Sequence, residues 1–442
     1  MKKLSIYLIL CFLCFCSLGQ GTAYFMESNY NNPPKFIRKY DNSPGAHVTL
    51  SADIISGQKE LAGLTDIYFN YYYAQITDKC VINDFETMDY MAYFCGRTIT
   101  NKGLIGWFNI TGLIGGGVTV YLDTTSLASN GITSVDNIEV YTDVTGNVHL
   151  AGYGTGTLGY MGFDFMQTPP LVWKYMMTQL PYMPCDLTVT DKYVVIAGLF
   201  SADNKIVIHP FPKNGGMFSP SSVPYYYYHV GSGTTLEPYS RMFVEDVGND
   251  VVTTLTYRLE GGGIYKMMLR SFDVSMASVT YQAPMVVAYE VPFNYSATQA
   301  VGFKYDADRK CYLALQNYEV APSDFRDVVT SVDFLGGVPT SVRSDYFSSS
   351  TNTFSSLSLS DSSMYVAYGH DSGSTENVFW KDAMGTTAMG PCLLLDILPF
   401  NNTTPVPEVV QNYPCGLSYV YLINAISTTY PANQANITPI CH

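Results

Sequence analysis

Six aspartates recur along this chain at nearly even intervals: Asp89, Asp143, Asp191, Asp246, Asp306 and Asp361. Carboxylates repeated in this way could form a ring that holds a cation. They serve equally well as turn residues, because Asp bonds its own backbone and tolerates left-handed geometry, and the turn reading is adopted here. A second grouping, Gly369-His370-Asp371-Ser372-Gly373, sets an imidazole, a carboxylate and a hydroxyl side by side. Those are the residue types of nucleophilic hydrolysis. The Gly-x-Ser-x-Gly spacing of a nucleophile elbow is missing, and triads are assembled by a fold rather than by adjacency. The stretch reads as a loop between strands.

Other candidates are weaker. Asp306-Ala307-Asp308 places two carboxylates two residues apart, but Arg309 and Lys310 follow where a calcium loop needs more oxygen ligands. Asp84 and Glu86 flank an apolar position and are the only nameable pair for glycosidase or lyase chemistry, which needs two carboxyls at a set separation. The histidines are His47, His149, His209, His229, His370 and His442, with no His-x-x-x-His spacing. The one Cys-x-x-Cys, Cys11 to Cys14, lies in the apolar N-terminal run and none follows it, so no zinc site is expected. His149 and His209 fall within strand patterns and read as core or face residues. No Walker loop or dinucleotide fingerprint occurs, and no cofactor is implied. The best binding hint is tyrosine: Tyr71-Tyr72-Tyr73, and Tyr225-Tyr226-Tyr227-Tyr228 followed by His229. Either run could stack on a sugar or peptide if exposed, and either could instead pack between sheets.

The elements that would carry these residues come from one repeat. Each of the six aspartates follows an apolar anchor by four or five residues. The anchors are Phe85, Ile138, Leu187, Met242, Val301 and Leu357, spaced 53, 49, 55, 59 and 56 residues apart. The first copy predicts a strand over Val81–Met88, a turn at Asp89-Tyr90, and strands at Met91–Cys95, Gly103–Ile110 and Val118–Leu122. Four antiparallel strands make one blade, so the expected fold is all-β: a β-propeller of seven blades, with six as the alternative. Residues 47–79 and 405–442 could together complete the seventh blade. Residues 20–46 read as an extended N-terminal arm, and residues 47–442 as the propeller. Helices should be few, since no amphipathic helical period is present.

The unit Phe85-Glu86-Thr87-Met88-Asp89, Met91-Ala92-Tyr93-Phe94-Cys95-Gly96 and Gly103-Leu104-Ile105-Gly106-Trp107-Phe108-Asn109-Ile110 resembles repeats of exported bacterial β-propeller proteins, mostly uncharacterised. The resemblance covers about two thirds of the chain and implies an architecture, not an activity. The Gly369–Trp380 stretch departs from the Asp-box turn of sialidases at Gly369 and Glu376.

Composition bounds the rest. Tyr (37), Phe (23) and Gly (36) are abundant and only 14% of residues are charged, which suits strands and tight turns. Lys2-Lys3, the apolar run Leu4–Phe15 and Ser17-Leu18-Gly19 read as a signal peptide over residues 1–19, cleaved before Gln20. Acylation at Cys14 or Cys16 is the lipoprotein alternative, although Leu13 and Phe15 are bulky where a lipobox wants a small residue. Without Lys2 and Lys3 the chain holds 21 basic against 37 acidic residues, a net charge of −16. That argues against nucleic acid and against an anionic membrane surface, since both need basic patches. Seven cysteines remain, so they cannot all pair within one chain; Cys80–Cys95 and Cys415–Cys441 are the possible bridges. The expectation is an exported, monomeric propeller in the periplasm, at the cell surface or outside the cell. It would bind a glycan or protein partner at one end of the ring; the alternative is a carbohydrate-active enzyme with carboxylates in the channel.

Overall fold

The computed structural model describes residues 71–142, 182–200 and 242–260 without a break, and elsewhere the strands given below with short turns beside them. The described chain is almost entirely antiparallel β-structure. After β1 (Thr22–Met26), successive strands pair with one another in groups of four, the fifth of which carries two short extra strands. The first group is β2 (Pro34–Lys39), β3 (His47–Ala52), β4 (Lys59–Thr65) and β5 (Tyr71–Asp78). The second is β6 (Cys80–Met88), β7 (Met91–Thr98), β8 (Gly103–Asn109) and β9 (Gly117–Asp123). Two short helices, α1 (Thr111–Ile114) and α2 (Thr125–Ser129), flank β9 and are the only helices among the described residues.

The third group is β10 (Ile132–Thr142), β11 (Val148–Gly156), β12 (Tyr160–Asp164) and β13 (Leu171–Met176). The fourth is β14 (Met183–Val189), β15 (Tyr193–Phe200), β16 (Lys205–Pro212) and β17 (Val223–His229). In the fifth, the short extra strand β18 (Thr235–Leu236) and β19 (Phe243–Gly248), which takes the place of the first strand, both pair with β20 (Val251–Glu260). Next comes β21 (Ile264–Asp273), which carries the two-residue β22 (Thr280–Tyr281) and β23 (Val287–Val291). The sixth is β24 (Gln299–Asp306), β25 (Cys311–Ala321), β26 (Asp324–Asp333) and β27 (Thr340–Ser349). The seventh is β28 (Ser355–Ser360), β29 (Met364–His370) and β30 (Asn377–Ala383), and β1 supplies its fourth strand by pairing with β30.

The remaining chain adds one outer strand to every group. β31 (Leu394–Leu398) lies on β27, β32 (Phe400–Asn402) on β23, β33 (Val406–Tyr413) on β17 and β34 (Gly416–Tyr421) on β13. β35 (Ile426–Ala435) lies between β9 and β5, fusing the first two groups into one nine-stranded sheet. β36 (Ile437–Cys441) then pairs with β1. The first strands of the groups meet in order: β2 touches β6, β6 touches β10, and so on through β14, β19, β24 and β28, which touches β2 again.

The sequence explains this packing. Alternation puts one side of each strand into the space between neighbouring sheets. Val48, Leu50, Leu64 and Ile76 of the first group bury against Phe94, Leu104, Phe108 and Val120 of the second. Tyr93, Cys95 and Ile105 on the other face of the second sheet meet Ile132, Ile138 and Leu150 of the third. Val195, Ile206 and Ile208 meet Val244, Val252 and Phe272 in the same way. A sheet buried on both faces reads as apolar in nearly every position, which β7 shows in its run Ala92–Cys95.

Several expectations are corrected. Residues 20–46, read as an arm, contain two strands, β1 and β2, each paired into a sheet. Residues 47–79 and 405–442 do meet, where β35 pairs with β5, but there they extend the first group, while β1 and β36 complete the seventh. Cys80 and Cys95 do not bridge each other: register pairs Cys80 with Thr98 and Cys95 with Asp84, and the two thiols sit in cores on opposite faces of the sheet. Cys415 lies outside the described residues. Asp89 occupies a turn with φ +53°, and Asp191 also lies in a turn. Asp246 lies within β19 and Asp306 ends β24; the β19–β20 turn is instead made by Asn249 and Asp250, both at φ +56°. Asp143 and Asp361 lie outside the described residues.

Candidate functional site

Charged residues occupy the same position on five of the seven first strands. Each follows a buried anchor: Arg38 after Ile37, Glu86 after Phe85, Glu139 after Ile138, Glu245 after Val244 and Lys304 after Phe303. The fourth group carries Thr188 there, after Leu187. Successive first strands touch, so residues one unit apart in sequence become neighbours in space.

Ion pairs tie the centre together. Arg38 Nε donates to Glu86 Oε1 at 2.6 Å, and its Nη2 donates to Asp84 Oδ1 at 3.2 Å. Lys304 Nζ donates to Glu245 Oε1 at 2.7 Å. These pairs are largely shielded, with side-chain exposures of 16% for Arg38, 12% for Glu86 and 19% for Glu245. The Glu139 side chain makes no hydrogen bond or ion pair among the described residues, yet it feels Glu86, Lys304, Glu245 and Arg38 together. Burial, reinforced by Glu86 and Glu245, pushes its carboxyl well above the usual range, against the pull of Lys304 and Arg38. Burial also raises Glu245, with Lys304 opposing. It works against the charge on Arg38 and Lys304 as well, but their glutamate and aspartate partners outweigh it and hold both more firmly protonated than usual.

A second layer of carboxylates stitches neighbouring strands one residue before the anchors. Asp84 Oδ2 accepts from the backbone N–H of Ile138 at 2.9 Å, and Asp186 Oδ2 accepts from that of Val244 at 2.9 Å. Asn137 Nδ2 joins the series by donating to Asp186 Oδ1 at 3.1 Å. Burial pushes Asp84 up to about 6, against Arg38 and two backbone N–H groups, and Asp186 up to about 7, against the N–H of Val244. These bonds also set the repeat frame. Val244 occupies the place of Ile138, and Phe303 follows by the same count. Met242 and Val301, taken from sequence as anchors, are therefore two residues early, a slip that keeps the face because strands have a period of two.

Chemically, the centre offers two fixed cations, two glutamates already paired with them, and one glutamate that holds its proton more tightly than usual. Such a carboxyl can donate a hydrogen bond where its neighbours accept one. Asp84 and Glu86, the pair singled out from sequence, share one arginine. Arg38, Glu139, Glu245 and Lys304 were missed. The signal available was the residue after each anchor, once the repeat is framed correctly and Ile37 is recognised as a seventh anchor.

The other candidates are placed as follows. Tyr71 and Tyr73 are buried and stack at 5.7 Å, so they pack rather than form a platform. Tyr225, Tyr226, Tyr227 and Tyr228 lie on β17, bonded by its backbone to β16 and β33; their side chains lie outside the described residues. His149 is buried against Tyr141, and His209 Nδ1 lies 2.7 Å from the Tyr182 hydroxyl. Residues 371–376 and Asp308 lie outside the described residues. Among the described residues no three His, Cys, Asp or Glu side chains converge as metal ligands would. No helix among them is long and apolar enough to cross a membrane. Compared with known proteins, the chain matches no family model and no curated protein.

Proposed function

We propose that this chain is an exported seven-bladed β-propeller that acts as a binding or scaffold protein and takes a glycan or protein partner at one end of its ring. The seven groups of strands would be the blades, the first strands would line the centre, and β1 would close the last blade. The observation that carries the function is the charged centre. Two of its three glutamates are already neutralised by Arg38 and Lys304, an arrangement that suits recognition by hydrogen bonds and charge more than proton transfer between two unpaired acids. Propeller loops gather at the ring ends, where binding residues are commonly carried on a rigid scaffold. In this reading the protein is bacterial, passes through the secretory pathway and works as a monomer.

Testing uses residues 20–442 on a glycan array and in pull-downs from the source cell envelope, with Glu139→Gln and Lys304→Met beside the native chain. Selective retention of one glycan class or partner, lost in either variant, supports the proposal. Retention that is identical in all three would remove the charged centre from the binding site.

A carbohydrate-active enzyme is the second reading, and one observation favours it: the raised carboxyl of Glu139 stands among other glutamates, as a general acid would. Turnover of any polysaccharide in a panel, abolished by Glu139→Gln, would put this reading first.

A further inference from the structure

Residues 394–441 form no group of their own. They leave the seventh group and run back around the molecule against the order of the chain. They visit the sixth, fifth, fourth and third groups, then the second and first together through β35, and end on the seventh through β36. Among the described residues, β31, β32, β33, β34 and β36 each lie at the end of a sheet and pair on one side only.

This segment is held differently from the strands beneath it. The inner strands are fixed by side chains with exposures of 0–2%, such as Phe85, Ile138 and Leu187. In β35, where side chains are described, Ile426 is 70% exposed, Ser427, Thr428, Thr429 and Pro431 are exposed, and only Tyr430 and Ala432 reach the core. In β35 backbone ladders therefore do most of the holding. Apart from the pairing of β1 with β30, the groups themselves are built from hairpins between neighbouring strands, which form at little loop-closure cost. The outer segment joins residues as far apart as Ala23 and Cys441, and such distant pairings form late because closure entropy precedes any gain. An outer strand also cannot pair before its acceptor edge exists, and β36 needs β1 already in place on β30.

We propose that residues 394–441 are a strap, laid down after the seven groups have come together, which opens as one segment while those groups stay assembled. Opening it uncovers the edges of β27, β23, β17, β13, β9, β5 and β1, seven edges able to accept a strand from a partner.

Native-state hydrogen exchange on the full chain in increasing urea tests the idea. The amides of β33, β34 and β35 should lose protection together, at least tenfold sooner than those of β7, β8 and β15. Equal protection, with the same urea dependence in strap and inner strands, would overturn the proposal. A second measurement avoids reliance on exchange rates. A protease site is placed within residues 384–393 and cut in the folded protein. With Trp173 and Trp380 replaced by Phe, the freed strap should stay bound in buffer, dissociate in urea while Trp107 fluorescence remains native, and rebind on dilution. Dissociation only when the Trp107 signal is lost would sink the proposal equally.

Discussion

Arg38 is the residue on which the centre depends most. It binds both Asp84 and Glu86 from an adjoining strand, and removing one partner of a shielded ion pair leaves the other charge uncompensated. Arg38→Met should lower stability by about 3–5 kcal/mol in a denaturant titration. The carboxylates predict an unusual pH response. Asp84 and Asp186 are held up at about 6 and about 7, against an ordinary 3.8, so the folded chain binds their protons more tightly than the unfolded chain. Stability from these groups should therefore rise as pH falls from about 7 to about 4 and stay level above that window. A thermal melt at about pH 5.5 should lie above one at about pH 8, and Asp186→Asn should shrink the difference. The centre was only half legible at this scale. Asp84 and Glu86 stand beside an obvious anchor, whereas Arg38 follows a lone Ile37 in a stretch rich in Asn and Pro that masks its strand.

At the scale of the element, tight packing makes some glycines irreplaceable. A Cβ on Gly96 would lie 2.0 Å from the carbonyl oxygen of Val81 on the paired strand, while one on Gly117 would meet nothing closer than 3.7 Å. Gly96→Ala should cost about 1–3 kcal/mol or more, and Gly117→Ala should stay within about 0.5 kcal/mol, as read by urea unfolding. Strand positions were the most legible feature of the sequence. The second group matches its reading almost residue for residue, because Asp89-Tyr90 and the polar 98–102 loop punctuate a strongly apolar pattern. Partners were less legible. Alternation shows which face is buried, but it does not identify the strand lying alongside, so β1 and β35 found neighbours that no local pattern announced.

For the whole molecule, closure rests on a few terminal residues. β1 stands between β30 and β36, so deleting residues 20–26 strips two strand edges at once. Edges left bare invite pairing between chains, and the truncated protein should form higher-order species in light scattering at concentrations where the full chain does not. A different consequence follows from β35. By bonding to β5 and β9 together it welds two neighbouring sheets into one continuous ladder, while the other outer strands each serve a single sheet. The sheets are then not joined uniformly: among the described residues, this is the one seam stitched by a continuous backbone ladder. Any breathing or tilting of sheets against one another should be concentrated away from that seam, which gives an otherwise repetitive molecule one stiff sector and a direction in which it can flex.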